Sequence, residues 1–346
     1  MAGAAVRARG LVKAYGPRVA VDGLDLDIRR GECFGFLGPN GAGKTTTMRM
    51  LACLSHRDAG ELEVLGTDPD RDPRTLKARL GVVPQEVNLD LELSVIENMV
   101  VYGRYFGMRA ADARSRAAGL LDFVGLGDRA GDTVVRLSGG MQRRLQIARA
   151  LINDPAMILL DEPTTGLDPQ ARRLVWDRLR DLRATGTSVV LTTHYMDEAE
   201  RLCDHLVIID HGRVMREGSP AALVRAEVGE EVLEMRTGPG DAAALAAAAS
   251  PRHLVAGETV LAFGDDADAM RHRAAGSGLR WDLVAERRAT LEDLFIILTG
   301  HSRERTPRAR RWSPRARRHR RGTRGPGART PRPTRCPRRT GSAGGS

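Results

Sequence analysis

Gly38-Pro39-Asn40-Gly41-Ala42-Gly43-Lys44-Thr45 fits the spacing G-x-x-x-x-G-K-[ST] at every fixed position. The chemistry this spacing permits is the holding of a phosphate chain. Glycines let the backbone turn tightly, so that several amide N–H groups point at one phosphate oxygen. A helix beginning near Lys44 adds its positive N-terminal end to the same spot. Lys44 then reaches the β- and γ-phosphates of a nucleoside triphosphate, and the Thr45 hydroxyl ligates Mg²⁺. Of 54 basic residues only Lys13, Lys44 and Lys77 are lysines, so a chain that writes its positive charge as arginine keeps lysine here. A Gly-rich turn with no ligand is the competing account. It fits poorly between the apolar run Cys33–Leu37, which reads as a buried strand, and Thr45–Leu54, which reads as a helix.

Three further groups could act on a bound phosphate. Met157-Ile-Leu-Leu-Asp161-Glu162 is a buried strand ending in two carboxylates. Asp161 can hold Mg²⁺ through its water shell, and Glu162 is placed to orient or deprotonate an attacking water. Many strands end in acidic turns, so the pair gains meaning only from the phosphate loop upstream and the Pro-Thr-Thr-Gly-Leu-Asp168 run that follows. In Leu137-Ser138-Gly139-Gly140-Met141-Gln142, Ser138 is a good helix N-cap, and two glycines leave amide N–H groups uncovered. An ordinary Ser-Gly helix start explains this motif equally well when it is taken alone. His194 follows the apolar run Val189–Leu191, where a histidine is either structural or a donor toward phosphate.

These residues need a frame. Residues 6–36 alternate apolar and polar (Leu24, Leu26, Ile28 against Asp25, Asp27, Arg29), which predicts antiparallel strands leading into the phosphate loop. Helices are expected over Leu93–Tyr105, Ala110–Val124 and Gln142–Leu151. Met157–Leu160 and Val189–Leu191 are continuous apolar runs, the mark of strands buried on both faces of a parallel sheet. Helices over Gln170–Ala184 and Asp197–Cys203 would cover it. Leu206–Asp210 and Arg213–Glu217 read as a hairpin through His211-Gly212. Near residue 225 the pattern changes to short strands (Val232–Arg236, Thr259–Phe263, Arg280–Ala285), an Ala-rich stretch, the Asp266–Ala275 segment and a closing helix, Leu291–Leu298.

The net charge of +10 is unevenly placed. Residues 303–346 hold 16 arginines and one acid, Glu304, a net of +15, which leaves 38 basic and 43 acidic residues in 1–302. Such an Arg/Pro/Gly-rich tail cannot bury enough surface to fold and is expected to be disordered. It could bind nucleic acid or anionic lipid, or carry no role, as GC-rich text read out of frame or past its usual stop. No apolar run approaches the ~18 residues that span a membrane, and no signal-peptide pattern opens the chain. A cytoplasmic protein able to dock on a membrane is expected. Cys33, Cys53, Cys203 and Cys336 have no metal-ligand spacing and read as reduced thiols.

Over residues 5–220 the ordered set of motifs resembles the ATP-binding subunit of ABC transporters. The resemblance implies ATP and Mg²⁺ as ligands. It places Tyr15 on the adenine ring, and Gly38, Pro39, Asn40, Gly41, Ala42, Gly43, Lys44, Thr45 and Thr46 around the phosphates as the Walker A loop. Gln85, in Val-Val-Pro-Gln, matches the Q-loop glutamine that touches Mg²⁺ and faces the membrane subunit. Ser138 and Gly140 belong to the signature, Asp161 and Glu162 to Walker B, Asp168 to the D-loop, and His194 is the switch histidine. Met141 departs mildly from the glutamine many members carry after Ser-Gly-Gly. Val87–Asp90, Tyr102–Met108 and the ending Leu291–Gly300 are similar to the nodulation-factor export and daunorubicin-resistance ATPases, which work with ABC-2 type membrane subunits.

The implied fold is α/β: a P-loop NTPase of the ABC type with an antiparallel β subdomain, a helical signature subdomain over about 86–144, and a small C-terminal α/β appendage. The expected domains are 1–225 and 226–302, followed by the tail 303–346. The resemblance further implies an ATPase that pairs with a second copy and an ABC-2 type permease, peripheral to the cytoplasmic face of the inner or plasma membrane, with no specific nucleic-acid partner. The cargo that the resemblance implies is an amphipathic molecule, a lipo-oligosaccharide or drug-like compound. The alternative is a soluble ABC ATPase acting on ribosome or nucleic acid; against it, the chain has one Walker A and one signature, and only about fifty residues separate Gln85 from Ser138. A nucleotide sensor without turnover is a third reading, disfavoured by the presence of both Glu162 and His194.

Overall fold

Two long antiparallel strands, β1 (Ala4–Tyr15) and β2 (Arg18–Arg29), open the chain in the computed structural model, which describes residues 3–238 and 240–300. The expectation for the tail 303–346 falls outside those residues. Leu24, Leu26 and Ile28 point into the core while Asp25, Asp27 and Arg29 face water, as the alternation requires. Next come β3 (Cys33–Leu37), α1 (Lys44–Leu51), β4 (Ala59–Val64), α2 (Pro73–Lys77) and β5 (Leu80–Val83). A helical segment follows: α3 (Val95–Tyr105), α4 (Ala110–Phe123) and α5 (Gly139–Ala150). The chain then alternates through β6 (Met157–Asp161), α6 (Pro169–Ala184), β7 (Ser188–Thr193) and α7 (Met196–Leu202). β8 (His205–Asp210), β9 (Arg213–Gly218) and α8 (Pro220–Glu227) complete this part. The remainder is β10 (Glu231–Thr237), α9 (Ala242–Ala249), β11 (Arg252–Ala256), β12 (Thr259–Gly264), α10 (Ala267–Gly276), β13 (Trp281–Arg288) and α11 (Leu291–Gly300).

Among the described residues three sheets result. The central one has the order β5-β6-β7-β3-β8-β9 and is parallel except for β9, which returns antiparallel to β8. Every residue of β3, β6 and β7 is buried, which is why each strand carries a continuous apolar run, Val189–Leu191 in β7 and Met157–Leu160 in β6. One face packs against the antiparallel sheet β2-β1-β4, through Phe34, Phe36, Leu159, Val190, Leu24 and Leu26. The other meets α5 to α8 and α11 through Leu37, Leu160, Leu191, Trp176 and Leu294. The last sheet, β11-β12-β10-β13, is wholly antiparallel, and α9 and α10 pack on it through Leu245, Ala246, Met270 and Ala274.

Several boundaries differ from the sequence expectation, each for a local reason. α1 stops at Leu51 rather than Leu54 because Cys53 adopts φ 56, outside the helical region. α3 begins at Val95, because Ser94 and Glu97 form a reciprocal capping box. α5 begins at Gly139, three residues before Gln142, so the two glycines lie inside the first turn, with Ser138 as its cap. The hairpin turn at His211-Gly212 has φ 47 and 77, left-handed at both central positions. Strand β11 was not expected, since an edge strand reading Arg-His-Leu-Val-Ala has no clear alternation.

Candidate active site

Strand β3 delivers the chain to Gly38, where a side chain has no room: a Cβ there would lie 2.2 Å from the Ile209 carbonyl oxygen. At Gly43, φ is 110 and a Cβ would lie 2.4 Å from the Ala20 carbonyl oxygen. The glycines therefore let the loop press against β2 and β8. Lys44, at the start of α1, is buried, and its Nζ donates to the carbonyl oxygens of Gly38 (2.7 Å) and Pro39 (3.1 Å). Burial pushes the Lys44 ammonium down from its ordinary value, and the Glu162 and Asp161 carboxylates oppose that shift. A cleft of about 440 Å³ opens here, lined by Tyr15, Arg18, Asn40, Gly41, Gly43, Lys44, Thr45, Thr46, Gln85 and Glu162. The Tyr15 ring is half exposed at its rim, with Lys13 Nζ 5.4 Å from its centroid. A larger cleft of about 830 Å³ between α8 and β13, lined by Glu200, Arg225, Glu230 and Arg288 among others, contains none of the motif residues.

β6 ends at the two carboxylates. Asp161 Oδ1 accepts from Thr45 Oγ1 at 3.2 Å and from Thr192 Oγ1 on β7. Glu162 is one of few residues other than glycine with a left-handed backbone, φ 47. Its N–H donates to the Thr192 carbonyl (3.1 Å) and hydroxyl (3.0 Å). Its side chain is a meeting point. Oε2 accepts from Gln85 Nε2 (3.2 Å) and Thr165 Oγ1 (3.1 Å), while Oε1 lies 3.2 Å from His194 Nδ1 and 4.0 Å from Lys44 Nζ. Lys44, Thr45, Gln85, Asp161, Glu162 and His194, spread over 150 residues of sequence, thus form one connected set. The donor set suits a hard cation: a hydroxyl and a carboxylate side by side at the phosphate loop, with an amide oxygen available from Gln85.

Ser138, Gly140 and Asp168 are not among the residues lining this cleft. Ser138 caps α5 by accepting from Met141 N–H (3.4 Å), and Asp168 caps α6 by accepting from Gln170 and Ala171 N–H (2.9 Å each). Gly140 approaches α6 so closely that a Cβ would stand 2.9 Å from Ala171 Cβ. The sequence reading also missed residues that hold the set in place. Thr192 and Thr165 are two of them. Arg143 is a third: it is buried on α5 and donates to the carbonyl oxygens of Pro84 (2.5 Å), Asp161 (2.8 Å), Glu162 (3.0 Å) and Pro163 (2.8 Å), and to Gln146 Oε1 (3.0 Å). Burial lowers its guanidinium to about 10, which leaves it charged at neutral pH. A signal was present in the helical period, since Arg143, Gln146 and Ala150 fall on the same buried face of α5.

Residues 21–165 match the ABC transporter family, and residues 241–300 match the C-terminal domain of the nodulation factor export protein NodI. The chain is 49% identical over 301 residues to the Nod factor export ATP-binding protein I of Paraburkholderia xenovorans, covering 86% of this chain and 97% of that protein. It is 46% identical over 306 residues to the protein of the same name from Rhizobium sp. (strain N33), covering 88% and 100%. Among solved structures, the ATP-binding cassette MJ0796, a dimer in a post-hydrolysis state bound to ADP and Pi, superposes with a TM-score of 0.58 at 30% identity, covering 62% of this chain and 98% of that one. Motif order, fold and kinship agree: the chain belongs to the ATP-binding subunits of ABC transporters, in the group of the Nod factor export ATP-binding proteins, and is the ATPase of an export transporter.

Proposed function

We propose that the cleft at Gly38–Thr46 hydrolyses ATP with Glu162 as the group that orients and deprotonates water. The observation that carries this is the convergence of Lys44, Gln85 and His194 on the Glu162 carboxylate. Tyr15 stacks on the adenine at the rim, and the loop amides and Lys44 hold the β- and γ-phosphates. Thr45, Asp161 and Gln85 would hold Mg²⁺, which when bound offsets charge on the phosphate oxygens. His194 contacts the γ-phosphate. Hydrolysis is then phosphoryl transfer to water driven by positioning and electrostatics.

Ser138, Gly140 and Asp168 lie outside this cleft and complete the cleft of a second copy, so that two chains enclose two nucleotides. Loss of the γ-phosphate opens the pair, and the helical segment after Gln85 carries the motion to a membrane permease of the ABC-2 type. No helix among the described residues is long and apolar enough to cross a membrane, so the spanning path belongs to that partner. The cargo class suggested by kinship with Nod factor exporters is an amphipathic lipo-oligosaccharide or a drug-like molecule, moved outward from the cytoplasmic face. The organisation into 1–225 and 226–302 is supported by the separate sheet that begins at β10.

Glu162→Gln tests the assignment. It keeps ATP binding, lowers turnover by about 10²–10⁴-fold, and traps an ATP-dependent dimer visible by light scattering. A variant that hydrolyses at the wild-type rate would rule the assignment out.

A further inference from the structure

Arg143 stands three residues beyond Gly140 on α5, yet its guanidinium reaches two other loops. It binds the carbonyl oxygens of Asp161, Glu162 and Pro163 on one side and that of Pro84, next to Gln85, on the other. The carbonyls at 161 and 162 flank the left-handed Glu162, a backbone that is unfavourable for a residue with a Cβ. Thr192 accepts from the Glu162 N–H through both its carbonyl and its hydroxyl. The strained residue is therefore held at its N–H and at both carbonyls, and a single side chain supplies both carbonyl contacts. That same side chain fixes the start of the loop whose Gln85 donates to the Glu162 carboxylate. Gln146 and Arg149 extend the seam, donating to the carbonyls of Glu86 (2.9 Å) and Asn88 (2.9 Å).

We infer that Arg143 is a positioning residue: it sets Glu162 and Gln85 of its own protomer and ties their alignment to the signature helix. The inference rests on the hydrolytic role given to Glu162 above. In a pair of chains, Ser138 and Gly140 at the start of α5 face the partner's nucleotide, so Arg143 lets occupancy of one cleft adjust the base in the other. The link is mechanical. The planar guanidinium donates to four carbonyls, whereas a lysine ammonium at the same depth has three donors and lacks the fork.

The test uses the full chain, unsubstituted and carrying Arg143→Lys or Arg143→Gln. MgATP turnover is normalised to nucleotide sites titrated in the same sample with a fluorescent ATP analogue. The expected result is a per-site kcat lower by about ten- to a hundred-fold, with KM for ATP within about twofold, as a misplaced catalytic group gives. Normalisation separates this from simple loss of folded protein. A per-site kcat equal to that of the unsubstituted chain would overturn the inference. An unsubstituted chain without turnover would instead overturn the hydrolytic reading, and this inference with it. If both variants fail to fold, hydrogen exchange on the unsubstituted chain decides: peptides covering 141–150 and 157–168 should gain protection together on adding MgADP and vanadate. Protection of one segment without the other would contradict the link.

Discussion

At Asp161 and Glu162 the adjoining side chains do as much as the carboxylates themselves. Thr192 donates its hydroxyl hydrogen to Asp161 Oδ1 and accepts from the Glu162 N–H, so one residue on β7 orients both acids. Thr192→Val keeps the shape and removes both contacts. It is expected to lower kcat about tenfold or more and to raise the Mg²⁺ concentration needed for half-maximal rate, since contacts that orient ligands typically account for 10–100-fold. Steady-state rates against Mg²⁺ at saturating ATP check this; an unchanged Mg²⁺ dependence would contradict it. Glu162 itself was legible from the strand that precedes it, but its left-handed φ and its dependence on Thr192 and Arg143 were not. Those contacts join positions 19 to 30 residues away and leave no local pattern.

Among the elements, the apolar runs of β3, β6 and β7 and the Gly-rich loop were readable because burial on both faces and close backbone approach each restrict residue type. Short pieces such as α2 and β11 were not, because five residues carry too little periodicity. The segment between β4 and α2 is tied down electrostatically. Asp68, after β4, takes a forked contact from Arg57 (2.8 and 2.7 Å), which also reaches Asp70 (2.8 Å). The Arg57 hydrogen bond, opposed by burial, lowers the Asp68 carboxyl from 3.8 to about 2. The native state thus binds a proton less readily than the unfolded chain, so the pair's stabilisation is complete above pH 4 and fades as pH falls toward 2. Asp68→Asn should cost about 1 kcal/mol at pH 7, allowing for partial exposure. The difference should shrink steadily in denaturant titrations between pH 4 and 2; a difference independent of pH would contradict this origin.

On the scale of the whole molecule, the first two turns of α5 differ in what they face. Ser138 at the start of α5 is exposed and, like Gly140, does not line the chain's own cleft, while Arg143 in the second turn is buried against the loops that carry Gln85 and Glu162. A chain built this way should work as a pair, so specific ATPase activity should climb with protein concentration until dimers dominate, and Lys44→Ala should abolish it at every concentration. The pairing can be read most directly by trapping MgADP with vanadate and cleaving the chain with ultraviolet light, which cuts where the backbone touches the γ-phosphate position. The two-chain site predicts cleavage at the Gly38–Thr45 loop and also beside Ser138, the second cut disappearing on dilution. Cleavage confined to the phosphate loop would contradict a site shared between two copies.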